Sequence, residues 1–167
     1  MITALVHHRG GNVALLGATL SALVTGVAQG VVADAVVIAP EASPDVATIA
    51  DAAGATFVVA ASEPWRAGAQ AARRDWLLCL EAGDVPIDDW PRTLDRFCAL
   101  AGNGAAIGRL VRVPARPRDW LALPFARLGS GPRAGDLAHR RHLEEGARPR
   151  IDRVAVRLIR ERDLSRE

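Results

Sequence analysis

Two carboxylates three positions apart, Glu81 and Asp84 in Glu81-Ala82-Gly83-Asp84, follow directly on the apolar run at 76–80. Acids at the end of a buried strand face a crevice. A divalent cation bridging them to a diphosphate needs only one or two protein oxygens, because phosphates and water complete its shell. Such a cation favours departure of a nucleoside diphosphate by neutralising the charge that develops on it. Gly83 would let the backbone approach the ligand closely. The same acids serve equally well as helix-capping and solvation devices, so their setting has to decide.

That setting reads as a sheet. Residues 2–6 form a short apolar run suited to a buried strand. From Asn12 the period changes, and Leu16, Leu20, Leu23 and Val27 recur at helical spacing on one apolar face. Asn12 is placed to cap that helix and Gly30 to stop it. A second β-branched run at 35–39 leads through Pro40-Glu41-Ala42 into a clearly punctuated helix start. Ser43 can cap, Pro44 fits the first turn, and Asp45 suits the positive helix end. Val46, Ile49, Ala50 and Ala53 form the inward stripe, and Gly54 ends the helix. Residues 56–60 read as a third strand and 62–74 as a helix of small residues. Residues 76–80 are apolar on both faces, as a central parallel strand is. A helix follows over 89–101 with Trp90, Leu94, Phe97 and Cys98 inward, and 105–111 reads as a fifth strand.

Strands alternating with helices predict an α/β fold with a doubly wound, mostly parallel sheet, whose ligands bind beyond the carboxyl ends of the strands. Those ends carry residues 7–11, 40–43, 61–63 and 81–84. Beyond residue 112 the expected pieces are a Pro/Arg connector at 113–118, a short helix at 119–128 interrupted by Pro124, and a loop at 129–135. A helix is expected at 136–145. Residues 151–161 read as amphipathic, with Ile151, Val154, Ala155 and Leu158 on one side and arginines opposite.

The order and spacing of these pieces resemble family 2 glycosyltransferases of the GT-A fold. The resemblance is carried by Val36-Val37-Ile38-Ala39-Pro40-Glu41-Ala42-Ser43-Pro44-Asp45, by Ile49-Ala50-Asp51-Ala52-Ala53-Gly54-Ala55, and by the run from Arg66-Ala67-Gly68 through Arg74-Asp75-Trp76-Leu77-Leu78 to Glu81-Ala82-Gly83-Asp84. It covers roughly residues 1–100. It implies one GT-A-like domain over 1–167, with a nucleotide-sugar-binding core at 1–112 and a reduced, arginine-rich acceptor-side segment at 113–167. It implies inverting transfer of a sugar from a nucleoside diphosphate sugar to a sugar or lipid-linked acceptor, helped by Mg²⁺ or Mn²⁺. By position, Glu81 and Asp84 would hold the metal and Glu41 would contact the nucleoside. Asp136, in Gly135-Asp136-Leu137, would be the general base for the acceptor hydroxyl, with helix capping as its other role. Arg66 would reach a phosphate, and His7 with His8 would line the nucleotide pocket. Arg140 and Arg141 could contact diphosphate or form a solvated helix face, and His139 and His142 read as surface residues.

Two departures matter. Ala39 and Pro40 stand where the family has consecutive acids, and Gly83 stands where its metal motif has a central acid. They keep open a second reading, a glycosyltransferase-like domain that binds or regulates without catalysis.

Half of the 167 residues are hydrophobic, which suits one soluble domain with a substantial core. Cys79 and Cys98 lie in apolar runs without metal or redox spacing, as reduced core residues of a cytosolic protein do. No cleavable signal peptide is expected. The uncharged stretch at 10–33 is too interrupted by glycine, Asn12 and Gln29 for a membrane span. All 21 basic residues are arginine, and they are unevenly placed. Residues 1–108 hold 6 arginines against 11 acids, whereas residues 109–167 hold 15 against 8. The basic half predicts a solvated arginine surface, or peripheral contact with an anionic membrane face where a lipid-linked acceptor would reside. Nucleic acid is disfavoured, because no recognition-helix, zinc-finger or aromatic-platform pattern accompanies the charge. A dinucleotide-binding oxidoreductase is disfavoured by the lack of Gly-x-Gly-x-x-Gly after the first strand.

Overall fold

The structure, a computed structural model, describes residues 1–102, 106–113, 132–145 and 149–161. Strands and helices alternate through β1 (Ile2–His7), α1 (Ala14–Ala28), β2 (Val32–Ala39), α2 (Pro44–Ala52), β3 (Thr56–Val59), α3 (Pro64–Ala71) and β4 (Trp76–Glu81). Next come β5 (Asp84–Pro86), α4 (Trp90–Ala101), β6 (Ala106–Arg112), β7 (Asp136–His139), the short α5 (Arg140–Glu144) and β8 (Arg150–Arg160). All the strands join one sheet in the order β3-β2-β1-β4-β7-β6-β8-β5. The first four are parallel. β7 is antiparallel to both β4 and β6, β8 is parallel to β6, and β5 closes the far edge antiparallel to β8.

Helices cover both faces, which is why β1 and β4 carry apolar residues on both sides. On one face Leu16, Leu20 and Leu23 of α1, Val46 and Ala50 of α2, and Trp90 and Leu94 of α4 pack on Ala4, Val6, Leu78 and Leu80. On the other, Ala69 of α3 and Leu143 of α5 pack on Leu5, Ile38, Leu77 and Cys79. The local punctuation works as expected. Asn12 Oδ1 accepts the Ala14 N–H at 2.8 Å, and Ser43 Oγ accepts the Val46 N–H at 3.4 Å.

Several expectations are corrected. Val27 is 54% exposed, because Gly26 takes the buried position beneath the Trp90 ring. Ala53 is exposed, and α3 ends at Ala71 rather than continuing to 74. Residues 136–145 are not one helix but buried β7 followed by a single helical turn. The amphipathic segment at 151–161 is β8, in which Val154, Val156 and Leu158 alternate inward while Ile151 and Ala155 face out. The connector after Val113, the helix at 119–128 and the loop up to residue 131 lie outside the described residues. Among the described residues no helix is long and apolar enough to cross a membrane.

Two glycines of α1 make opposite predictions. A Cβ on Gly26 would drive into the Trp90 ring, whereas a Cβ on Gly17 would meet nothing within 4 Å. Gly26→Val should therefore lower unfolding free energy by about 1–3 kcal/mol through overpacking. Gly17→Ala should raise it by up to about 1 kcal/mol through helix propensity. Urea denaturation of both variants checks this, and changes of the same sign would contradict the packing described.

Candidate functional site

The chain reverses direction of travel across the sheet at β1: β2 and β3 lie to one side, β4 to the other. α1 and α2 accordingly cover one face and α3 the opposite one. Loops leaving β1 and β4 thus diverge, the arrangement in which open α/β sheets bind ligands beyond the carboxyl ends of their strands. The register sets His7 beside Ile38 of β2 and Glu81 of β4. His7, the exposed Glu41 just past β2, and Glu81 therefore stand at neighbouring strand ends.

The acidic loop is held tightly. Gly83 has φ +94°, where an L side chain is strained, so the missing central acid has a backbone reason. Its N–H donates to Thr19 Oγ1 at 2.8 Å, and its carbonyl accepts the Glu161 N–H at 2.7 Å. Asp84 is fully buried. Its Oδ2 accepts the Glu81 N–H at 2.9 Å, and both its oxygens accept from Arg112, at 2.6 and 2.9 Å. Glu81 is gripped from two sides, by Arg9 at 2.7 Å on Oε1 and by Arg160 at 2.7 Å on Oε2. Burial would raise the Glu81 carboxyl, but the hydrogen bond from Arg160 and the charges of Arg9, Arg160 and Arg112 outweigh it and hold it below its ordinary value.

This donor set does not fit a divalent cation. Each carboxylate oxygen of Glu81 and Asp84 already accepts from a guanidinium. Among the described residues no group of three or more His, Cys, Asp or Glu side chains converges. Glu81 and Asp84 do come together as expected, but Arg9, Arg112 and Arg160 converge on them.

The other candidates fall in different places. Asp136 is fully buried in β7, opposite Cys79 of β4, with Arg109 donating to its two oxygens at 2.7 and 2.8 Å. The Arg133 N–H adds a third donor at 3.1 Å. A base needs an oxygen open to its substrate, and here both are engaged. Arg66 is half-exposed and pairs with Glu63 at 3.3 Å. Arg140 lies at the opposite end of β4, where it donates to the carbonyls of Ala72 and Arg74 at 2.7 and 3.1 Å. It clamps the end of α3 to the start of β4, far from the carboxyl ends of β1 and β4. His142 is buried rather than at the surface, and His139 packs its ring edgewise on Trp76 at 5.6 Å.

His7 packs edgewise on Trp65 at 5.7 Å between ring centroids. Burial, with the nearby Arg9 charge, lowers its pKa, and burial likewise lowers that of His8. Both imidazoles are therefore neutral at pH 7, each with a buried Nδ1 that has no hydrogen-bond partner. Burial raises Cys79, with Asp136 adding to it, and pushes Cys98 up to about 12, so both thiols stay protonated and inert.

Arg9, Arg112 and Arg160 were not singled out by sequence reasoning. For Arg112 and Arg160 the signal was the charge asymmetry between the two parts of the chain; Arg9 lies in the acidic part and had none. Arg112, Arg157 and Arg160 pair with Asp84, Asp88 and Glu81 of the acidic part. The membrane contact expected from the basic part loses these charges to internal partners.

No protein-family model matches the sequence, and no curated protein matches it. Solved structures do match the fold. Glucosyl-3-phosphoglycerate synthase from Mycobacterium tuberculosis, in complex with Mn²⁺ and UDP-glucose, superposes with TM-score 0.55 and 16% identity, over 98% of this chain and 72% of that one. S. aureus TarS 1–349, in complex with UDP-GlcNAc, superposes with TM-score 0.58 and 10% identity, over 98% of this chain and 60% of that one. A mycobacterial protein superposes with TM-score 0.56 and 16% identity, over 98% of this chain and 68% of that one. At these identities the likeness shows the fold: a GT-A-type α/β sheet.

Breaking one partner of a buried ion pair leaves an uncompensated charge. Asp136→Ala should therefore cost about 3 kcal/mol, whereas Glu81→Gln, whose partners are solvated, should cost at most about 1 kcal/mol. Urea midpoints rank the two, and equal costs would contradict the assignment of Asp136 to structure. The histidines predict a pH dependence. Their lowered pKa values mean that the unfolded chain binds more protons below its ordinary value of 6.5. Stability should be full above 6.5 and fall as pH drops through the window beneath it. The urea midpoint at pH 5.5 should lie below that at pH 7.5, with a smaller difference in His7→Gln; the same difference in that variant would count against His7.

Proposed function

We propose that this chain belongs with family 2 glycosyltransferases. In this reading it binds a nucleoside diphosphate sugar beyond the carboxyl ends of β1, β2 and β4, and transfers the sugar with inversion to an acceptor hydroxyl. The observation that carries the reading is the switch point between β1 and β4, where open α/β sheets bind ligands, bordered here by His7, Arg9 and Glu81. Support comes from sharing a fold with proteins solved with UDP-glucose and UDP-GlcNAc.

Within this reading Glu41, exposed beyond β2, accepts hydrogen bonds from the nucleoside, and the neutral His7 with Trp65 forms an apolar wall. Arg66 is placed in the first turn of α3, where exchanging Glu63 for a phosphate requires only rotation of its side chain. In transfer, the acceptor oxygen attacks the anomeric carbon and its bond to the β-phosphate oxygen breaks. The electron pair leaves on the diphosphate, and the hydroxyl proton passes to a base. Asp136 can take that proton only after releasing Arg109, so the reading does not depend on it. Residues 1–112 would form the nucleotide core and 113–167 the acceptor side of one domain.

A second reading, binding without catalysis, is favoured by one observation: Asp84 and Asp136 both have their two oxygens committed to arginine. Calorimetry with UDP-glucose, UDP-GlcNAc and a GDP-sugar tests the binding step, with a Kd below about 1 mM expected for one of them. Binding to none of them would overturn the reading. Binding without release of nucleoside diphosphate, across a panel of sugar and lipid-linked acceptors, would select the non-catalytic alternative.

A further inference from the structure

We propose that Arg9 and Arg160 take the place of a divalent cation and bind the diphosphate directly, with the Glu81 carboxylate standing in for it until the ligand arrives. The inference rests on the nucleotide-binding reading above and concerns how that site supplies its positive charge.

Three guanidiniums, of Arg9, Arg112 and Arg160, face two carboxylates, of Glu81 and Asp84, so the cluster keeps one net positive charge. The roles within it are unequal. Arg112 and the fully buried Asp84 form a two-bond pair that the Glu81 N–H also supports, and that pair is structural. Arg9 and Arg160 are different: their side chains are 68% and 45% exposed, and each spends an ion pair on a separate oxygen of Glu81. A carboxylate bridging two exposed guanidiniums occupies the position that the oxygens of a diphosphate would take, because both present paired oxygens to planar N–H forks.

Access is open on the β1 side. Arg9 is followed by Gly10 and Gly11, at φ +98° and +91°, and a Cβ on either would meet nothing within 4 Å. A bulky anion can therefore reach the backbone between β1 and α1, beside the Arg9 side chain. A metal would have to enter against three positive side chains and displace two of them from Glu81. A diphosphate enters with them and displaces only an internal anion. The depressed pKa of Glu81 agrees with a carboxylate held ionised by this field.

The two readings of Glu81 predict opposite results. If Glu81 is a metal ligand, Glu81→Gln weakens UDP binding and EDTA abolishes it. If Glu81 is a placeholder, EDTA leaves UDP binding unchanged and Glu81→Gln tightens it, by roughly threefold to tenfold for one removed charge. Arg9→Gln/Arg160→Gln should then weaken it by about tenfold or more. Isothermal titration of UDP into the wild type and both variants, with 1 mM MnCl₂ or with EDTA as two arms at roughly physiological salt, reads all of this. Thermal melts of the variants confirm folding, which the exposure of both arginines favours. UDP binding that requires Mn²⁺, or that Glu81→Gln weakens, overturns this inference and leaves the nucleotide-binding reading intact. Binding of neither UDP nor GDP, titrated in the same two arms, overturns both.

Discussion

The buried pair between Asp84 and Arg112 is the constraint on which the architecture depends. A carboxylate with no exposed surface carries a desolvation cost of several kcal/mol unless it is fully paired. Asp84 meets that demand with two bonds from Arg112 and one from the Glu81 N–H. The pair ties the start of β5 to the end of β6, with β8 between them in the sheet, and the Glu81 N–H ties the same carboxylate to the end of β4. Backbone bonds follow the same seam: Glu161 N–H to the Gly83 carbonyl, and Val113 N–H to that of Leu158. The acidic loop is thus a joint between the parallel and mixed halves of the sheet, and only Glu81 keeps solvated partners.

This joint explains the charge asymmetry of the chain. A surplus of acids in the first part and of arginines in the second would repel within each part. Folding instead places β8 antiparallel to β5, so Arg157 meets Asp88 and Arg160 meets Glu81. Arginine suits the purpose because its planar fork reaches both oxygens of one carboxylate, as it does at Asp84, Asp88 and Asp136. The solvated pairs of Arg157 with Asp88 and of Arg160 with Glu81 add little stability singly, but they select one register of β5 on β8.

The first part of the chain, through β4, was legible from sequence because its signals are local. Ser43-Pro44-Asp45 marks a helix start within three residues, and the apolar run of β4 is continuous. Past residue 112 the signals are non-local. In β8, Ile151, Val154, Ala155 and Leu158 satisfy a helical spacing, while Val154, Val156 and Leu158 satisfy a strand. β-Branched enrichment favours the strand, and pairing with β6 decides it. β7 has only four residues, too short for any period to show. The site split in the same way. Glu81 and Asp84 were visible as a spacing, but their partners lie 79 and 28 residues away, where only the folded sheet brings them together. Asp136 was read as a base or a helix cap, whereas it starts β7, and its pairing with Arg109 depends on β6 and β7 lying side by side.

The arginine cluster sets the sign of the field beyond the ends of β1 and β4. For a dication about 5 Å from each group, at an effective dielectric of about 20, each carboxylate contributes roughly −7 kcal/mol and each guanidinium roughly +7. With three guanidiniums against two carboxylates, the sum is repulsive by the value of one term. For an anion the sign reverses and scales with its charge, so a diphosphate is attracted where a metal is opposed. Glu81 moderates this field: while it bridges Arg9 and Arg160, the cluster is nearly balanced and its geometry is fixed. Removing its carboxylate from the two arginines costs two solvated ion pairs, which are individually weak. A diphosphate offers paired oxygens on each phosphate and twice the total charge of the carboxylate, so it replaces those pairs with stronger ones. In the proposed site, the acids that first draw attention in the sequence matter less as ligands than as the partners that hold the arginines in place.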